Sequence, residues 1–188
     1  MSKTTQMLKT YAPYNEQEKT DIEQIIEAEE KLGQILTRDN RFCHLCSSAF
    51  VINKTHDKVL AIYHNIFNSW TFPGGHADGD DDMVYVAKKE LEEETSITDY
   101  KLLSEKPIAV DSIDIAAHYK KGKFVSAHLH MNTTYLFEAD ENQEIKIKAD
   151  ENQNIGWLTF DELIEKSTEP HMVVIFKKII ERIKAKNY

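Results

Sequence analysis

The chain has 188 residues, 41% of them hydrophobic and 29% charged, with a net charge of −9. That is enough for one domain with a sizeable core, and no apolar run reaches the length of a membrane span. The negative balance excludes broad, charge-driven binding to nucleic-acid polymers or anionic membranes, though not a small phosphorylated substrate whose charge a metal offsets. The opening residues, Met1 to Gln6, hold no apolar signal core, which predicts a cytoplasmic protein.

Residues 1 to about 14 read as irregular. Asn15 and Glu18 then have capping-box spacing, and Ile22, Ile25, Ile26, Leu32 and Leu36 follow at near-helical intervals. This predicts a helix over about 16–37. Strands are expected at about 42–53 and 58–64, joined by the polar turn Asn53 to Asp57. Cys43 and Cys46 are the only cysteines. A Cys-x-x-Cys pair can be half a zinc site or a redox pair. No second pair completes a four-sulfur site, and strand alternation sends the two thiols to opposite faces, so they read as core residues.

A helix is expected over about 82–94, with Met83, Val84, Val86, Ala87 and Leu91 on its buried side and Asp80, Asp81 and Asp82 complementing its N-terminus. The EF-hand ligand order and its closing glutamate are absent from this acidic run. One or two strands follow in 100–118. Then come a basic turn at Lys120 to Lys123, a long strand over 124–138, and a short one at Gly156 to Leu158. Thr159 and Glu162 form a second capping box, and Pro170 opens a last helix reaching about 185. The order suits a mixed sheet covered by helices on both faces.

The chemistry concentrates at one place. Trp70-Thr-Phe-Pro-Gly-Gly runs into the acidic helix, where Glu90, Glu93 and Glu94 stand at i, i+3 and i+4. That spacing puts three carboxylates on one helix face, where like charges repel. Clustered carboxylates of this kind suit Mg²⁺ or Mn²⁺, with phosphate oxygens filling the remaining positions. A Glu-rich helix is by itself usually just a solvated face. The glycine pair at a fixed distance ahead of it favours a site, because glycine lets the backbone turn tightly and approach a bound group.

The segment Gly75 to Ile97 resembles the Nudix hydrolase signature. Gly75, Glu90, Leu91, Glu93, Glu94 and Ile97 fall on its positions without a gap. Three residues depart from it: Asp81 stands for a glutamate, Lys89 for an arginine and Ser96 for a glycine. The resemblance implies a Nudix α/β/α sandwich over 41–188. Residues 1–40 are then an N-terminal helical extension that could pack on the core, cover part of the site or form a homodimer contact. It also implies a metal-dependent hydrolase of a diphosphate linkage in a nucleoside diphosphate derivative, using Mg²⁺ or Mn²⁺.

By the same resemblance Glu93 and Glu94 are the main metal ligands, with the carbonyl of Gly74. Glu90 binds metal or accepts a proton from water. Glu151 is expected as the further catalytic carboxylate, with Asp150 as its alternative and an ordinary loop acid as the plain reading. His128 and His130 share a strand face and could line the substrate site, as could Trp70. A sheet or core role is the plainer reading of each, and a two-histidine zinc site lacks an evident third ligand. Lys120, Lys121 and Lys123 could meet phosphate or simply form a solvated turn.

Asp81 and Lys89 occupy the positions that brace the catalytic glutamate in the family. A lysine there keeps the charge but loses the planar fork of arginine. The weakened brace makes room for a second reading, a degenerate Nudix domain that binds a nucleotide and regulates without turnover.

Overall fold

The computed structural model describes residues 1–120 and 122–186. Helices α1 (Lys3–Leu8) and α2 (Glu16–Leu32) come first. Strands β1 (Cys43–Asn53), β2 (Lys58–His64), β3 (Ser69–Thr71) and β4 (Gly74–His76) lead into helix α3 (Met83–Thr95). Then follow β5 (Tyr100–Leu102), β6 (Ala109–Ile115), β7 (His118–Lys120), β8 (Lys123–Val125) and β9 (His128–Ala139). The order ends with β10 (Asn152–Thr159), α4 (Phe160–Lys166) and α5 (Pro170–Lys184). No helix among the described residues is long and apolar enough to cross a membrane.

Several boundaries differ from the sequence expectation. The irregular start contains α1, whose N-cap Ser2 accepts a hydrogen bond from the Thr5 amide at 3.1 Å. Helix α2 ends at Leu32 rather than near 37. The chain turns there so that Ile35 is buried and its carbonyl accepts from the Leu45 amide at 2.6 Å. The strand expected over 124–138 is two strands, β8 and β9. Lys121 of the basic turn lies outside the described residues. Helix α3 ends on Ser96 at φ 62°. This left-handed conformation costs a residue with a Cβ roughly 1–2 kcal/mol.

The sheet is built around β1 and β9, which run parallel from Cys43↔Leu129 to Asn53↔Ala139. Strands β5 and β6 pair antiparallel with β9. On the other side, β1 meets β2 only at Ile52↔Val59. Farther back along β1, at Cys46 to Ser48, β4 takes the place of β2. Strands β3 and β10 continue the sheet from β2. The sheet therefore forks between β2 and β4, and residues of β1 to β4 at that fork all line one cleft.

Strand alternation assigns the two faces. Leu45, Ala49 and Val51 of β1 pack with Ile22 and Ile25 of α2 and Val86, Ala87 and Leu91 of α3. Phe50 and Ile52 point the other way, into a cluster with Leu163 of α4 and Phe176 and Ile179 of α5. Each of the buried Leu, Ile, Val and Phe side chains contributes roughly 1.5–3 kcal/mol by leaving water. The result is a mixed sheet between two helical layers. His44, Cys46 and Ser48 share the face of Phe50 and Ile52, but they line the cleft instead of the core.

The N-terminal helices are docked onto this sandwich by buried charge. Lys178 of α5 places its Nζ 2.6 Å from Asp111 Oδ1 and 3.5 Å from Glu18 Oε1. Arg182 Nη1 lies 3.6 Å from the same Glu18 oxygen and donates to Tyr11 Oη at 2.8 Å. Glu18 also accepts from the amides of Val110 at 3.0 Å and Tyr14 at 2.6 Å. Its carboxylate is thus drawn away from the reciprocal cap that the sequence suggests, and only Asn15 caps α2, accepting from the Glu18 amide at 2.9 Å.

Burying ions is costly, and removing one partner leaves the others uncompensated. Lys178→Met should lower the unfolding free energy by about 3–5 kcal/mol, read from urea denaturation. A change below about 1 kcal/mol would show that the charged cluster is not what fastens the extension.

Candidate functional site

The cleft at the fork encloses about 850 Å³. Its floor is β4, where the sequence Gly74-Gly75-His76 lies antiparallel to Ser48, Ser47 and Cys46 of β1. Both glycines let β4 approach its neighbours closely. A Cβ on Gly75 would lie 2.4 Å from the Glu90 carboxyl carbon, and one on Gly74 would lie 2.2 Å from Ser48 Oγ. The backbone of β4 is therefore pressed directly against the acidic helix face.

Glu94 is 2% exposed. Its Oε2 accepts from the Gly74 amide at 3.0 Å and its Oε1 from Asn152 Nδ2 at 3.4 Å. Burial pushes its carboxyl up to about 8, against the lowering effect of those two donors. Burial also raises Glu90, with Lys89 opposing it and Glu93 adding to it. Glu93 sits at the cleft surface. The Oδ1 of Asn152, beside Glu94, is buried without a hydrogen-bond partner among the described residues.

Two lysines face this acidic group. Lys89 Nζ lies 3.7 Å from Glu90 and 3.9 Å from Glu93. Lys148 Nζ lies 3.4 Å from Glu93 Oε2 and 3.1 Å from Glu151 Oε2, so it bridges α3 to the loop before β10. Burial pulls Lys148 down, but its bonds to Glu151 and Glu93 outweigh that and leave it raised. An all-oxygen donor set whose buried members hold protons this tightly suits a hard divalent cation, which would displace those protons.

The cleft lining also carries histidines, His76 of β4 among them. His44, His76 and His130 have ring centroids 4.8 to 5.1 Å apart, and His128 stands 5.0 Å from His130. Burial lowers His76 to about 3 and His130 to about 2, with neighbouring histidines adding to the effect. His44 is lowered by burial too. His44, His76 and His130 are therefore neutral imidazoles at ordinary pH. Cys46 lies among them, and burial raises its thiol, while Cys43 faces the apolar cluster beneath α3.

Most of the residues singled out from the sequence meet in the cleft: Gly74, Lys89, Glu90, Glu93, Glu94, Glu151, Asp150, His128, His130 and Lys120 line it. Trp70 is not among the lining residues. It packs edge-on to Tyr63, 5.6 Å between centroids, and against the α4–α5 core. The Asp81–Lys89 brace is not formed either. Asp81 accepts from the Lys3 and Thr4 amides at 2.5 and 3.2 Å, capping the free N–H groups of α1, while Lys89 turns to the glutamates. The extension has taken the acid that the signature assigns to the brace.

The sequence reading assigned no role to Lys148, Asn152, His44 or His76, and it assigned Cys46 to the core, whereas Cys46 lines the cleft. Lys148 and Asn152 flank Glu151 closely, and the run Lys146-Ile-Lys148 before two acids was a usable signal. The histidines gave none, because they come together only through the pairings His44↔His130 and Cys46↔His76.

Known proteins match the chain in family and fold. The NUDIX domain family model matches residues 44–179. A search among curated proteins finds no match. Among solved structures, a Caenorhabditis elegans Ap4A hydrolase in a binary complex superposes with a TM-score of 0.56 at 18% identity, over 75% of this chain and 98% of that one. A NUDIX-family hydrolase from Clostridium perfringens gives 0.57 at 18%, over 74% and 97%. A MutT protein from Methanosarcina mazei gives 0.55 at 16%, over 78% and 96%. At these identities the structural likeness shows the shared fold, and together with a family match over most of its length it shows that the chain belongs to the Nudix hydrolase family.

Proposed function

We propose that the protein hydrolyses a diphosphate linkage in a nucleoside diphosphate derivative, with Mg²⁺ or Mn²⁺. The observation that carries this reading is the convergence of Glu90, Glu93 and Glu94 on the Gly74–Gly75 strand at the base of one cleft. Glu93, Glu94 and Glu90, with the carbonyl of Gly74, are the groups that would hold the cation. A cation there would neutralise pyrophosphate oxygens and make a nearby water more acidic.

The rest follows from side chains of this chain. The amides of Gly74 and Asn152 orient the Glu94 carboxylate, and the missing Cβ of Gly75 lets Glu90 sit against the floor. Lys148 holds Glu151 opposite Glu93, which lets Glu151 orient water or accept its proton. Lys89, Lys120 and Lys148 give the cleft positive charge to meet a phosphorylated substrate, and His128 and His130 line its far wall. Trp70 and Asp81 have no part in this reading.

A panel of nucleoside diphosphate derivatives, with Ap4A and dihydroneopterin triphosphate included because two structural neighbours act on them, tests the proposal by phosphate or nucleotide release with Mg²⁺ and Mn²⁺. The diversion of Asp81 from Lys89 favours the second reading, a nucleotide-binding regulator. Tight binding without turnover across the panel would select it.

Glu94→Gln should reduce turnover by about 10²-fold or more while leaving the fold intact, since it removes a ligand charge but little shape. Near-normal turnover in this variant would refute the site. Glu151→Gln should lower kcat more than it raises KM, because the group acts on water rather than on substrate binding. An unchanged kcat makes Glu151 a loop residue.

The same buried carboxyl sets a pH dependence in chelator-treated protein. Glu94 titrates near 8 in the folded state and near 4.5 when unfolded. Between those values the folded state binds more protons than the unfolded one, so stability falls as pH rises. Melting temperatures measured from pH 5 to 8.5 in EDTA should therefore decline in the wild type more than in Glu94→Gln. Parallel profiles would show that Glu94 is not protonated on folding.

A further inference from the structure

The histidine wall has a property that the hydrolytic reading does not use. His44 Nδ1 lies 3.3 Å from the Asn40 carbonyl oxygen. A carbonyl only accepts, so Nδ1 carries the proton and the Nε2 of this neutral ring is a bare lone pair. That Nε2 is buried with no hydrogen-bond partner among the described residues, on a residue only 5% exposed. A buried, unmatched acceptor is costly and requires an explanation.

The next rings repeat the pattern. His128 Nδ1 lies 2.8 Å from the Ser126 carbonyl oxygen, so it carries a proton, and in the neutral ring its Nε2 accepts. The Nε2 of His130, 3.2 Å away, then donates, and the Nδ1 of His130 is left with a free lone pair. Backbone carbonyls thus set the tautomers of neighbouring rings. This is how metal-ligating histidines are held by groups behind them.

The strand pairings place the cluster. His44 and Cys46 project from the same face of β1, two residues apart. His130 stands opposite His44 on β9, and His76 opposite Cys46 on β4. One ligand atom from each of the four lies within 4.8 Å of all the others. In a tetrahedral shell with Zn–N near 2.0 Å and Zn–S near 2.3 Å, these ligand atoms would be roughly 3.3–3.5 Å apart. Small side-chain rotations close that gap.

We propose that His44, Cys46, His76 and His130 form a three-nitrogen, one-sulfur site for a late first-row transition metal of the zinc class, separate from the carboxylate site on the same cleft. The donors differ in kind as well as in place. Thiolate and imidazole select zinc-like ions, and carboxylates select Mg²⁺ or Mn²⁺, so the two sites sort their metals by chemistry. On binding, the Cys46 thiol gives up its proton to solvent and the thiolate joins three neutral imidazoles, leaving a net charge of +1. With four protein ligands the site is closed, which makes its role structural. It clamps β4 to β1 and β9 and so fixes the strand that carries Gly74 and Gly75. The inference does not depend on the hydrolytic reading.

Cobalt(II) titration of the full-length, chelator-treated protein in excess Mg²⁺ tests it. The expected result is one equivalent bound, with the intense visible bands of a tetrahedral ion and a thiolate-to-cobalt charge-transfer band, both abolished when Zn²⁺ displaces the cobalt. Cys46→Ser should lose the charge-transfer band, and His44→Ala should weaken binding at least ~10-fold. Cys43→Ser and Glu94→Gln should keep the full spectrum. Zn²⁺ should raise the melting temperature of Glu94→Gln and not that of Cys46→Ser. A wild-type spectrum without charge transfer overturns the proposal without recourse to any variant. So does a charge-transfer band that survives in Cys46→Ser or disappears in Glu94→Gln.

Discussion

The parallel pairing of β1 with β9 is the constraint on which the rest of the protein depends. It runs the full length of β1 and sets which side chains face which layer. Along one face of β1 the even-numbered residues change character midway. Phe50 and Ile52 enter the core beneath α5, while His44, Cys46 and Ser48 open onto the cleft. Strand β4 can reach β1 only where β2 has left it, and that fork puts the glycine pair against the acidic helix. A single strand therefore serves as core, as the backing of the cleft floor and as a mount for part of a cluster of imidazoles.

The acidic face of α3 holds free energy in reserve. Glu94 and Glu90 are buried carboxyls with few donors, and burial raises both. In isolation that arrangement destabilises the folded chain. It is tolerated because the Gly74 amide, Asn152 and Lys89 meet part of the demand, and in the function proposed above a bound cation would meet the rest. The same tension explains why a signature helix can carry three glutamates on one side without unravelling: its opposite side, Val86, Ala87 and Leu91, is sealed against β1.

Much of this was legible in the sequence, and the reasons are local. The glycine pair, the i, i+3, i+4 glutamates, the capping box at Thr159 and the proline at the start of α5 are short-range patterns with direct physical meaning. Alternation correctly separated Cys43 from Cys46. What stayed hidden depends on contacts between distant segments. Helix α1 is six residues long, too short to form alone, and persists because Asp81 caps it from across the fold. Glu18 looked like a capping residue and is an anchor for α5. His44 and His76 could not be joined to His128 and His130 from spacing, since only the pairing of β1 with β4 and β9 brings them together.

That long-range pairing also bears on how the chain reaches its native state. Strand β1 is made early in the sequence and its partner β9 follows α3 and four further strands, so the central ladder closes a large loop before it gains a single hydrogen bond. Closing such a loop is entropically slow, and parallel pairing permits no short hairpin as a starting point. Until it closes, β1 presents a long, apolar, unpaired edge of the kind that pairs with other chains. Folding yield should thus be governed by protein concentration and by how quickly the second half of the chain arrives.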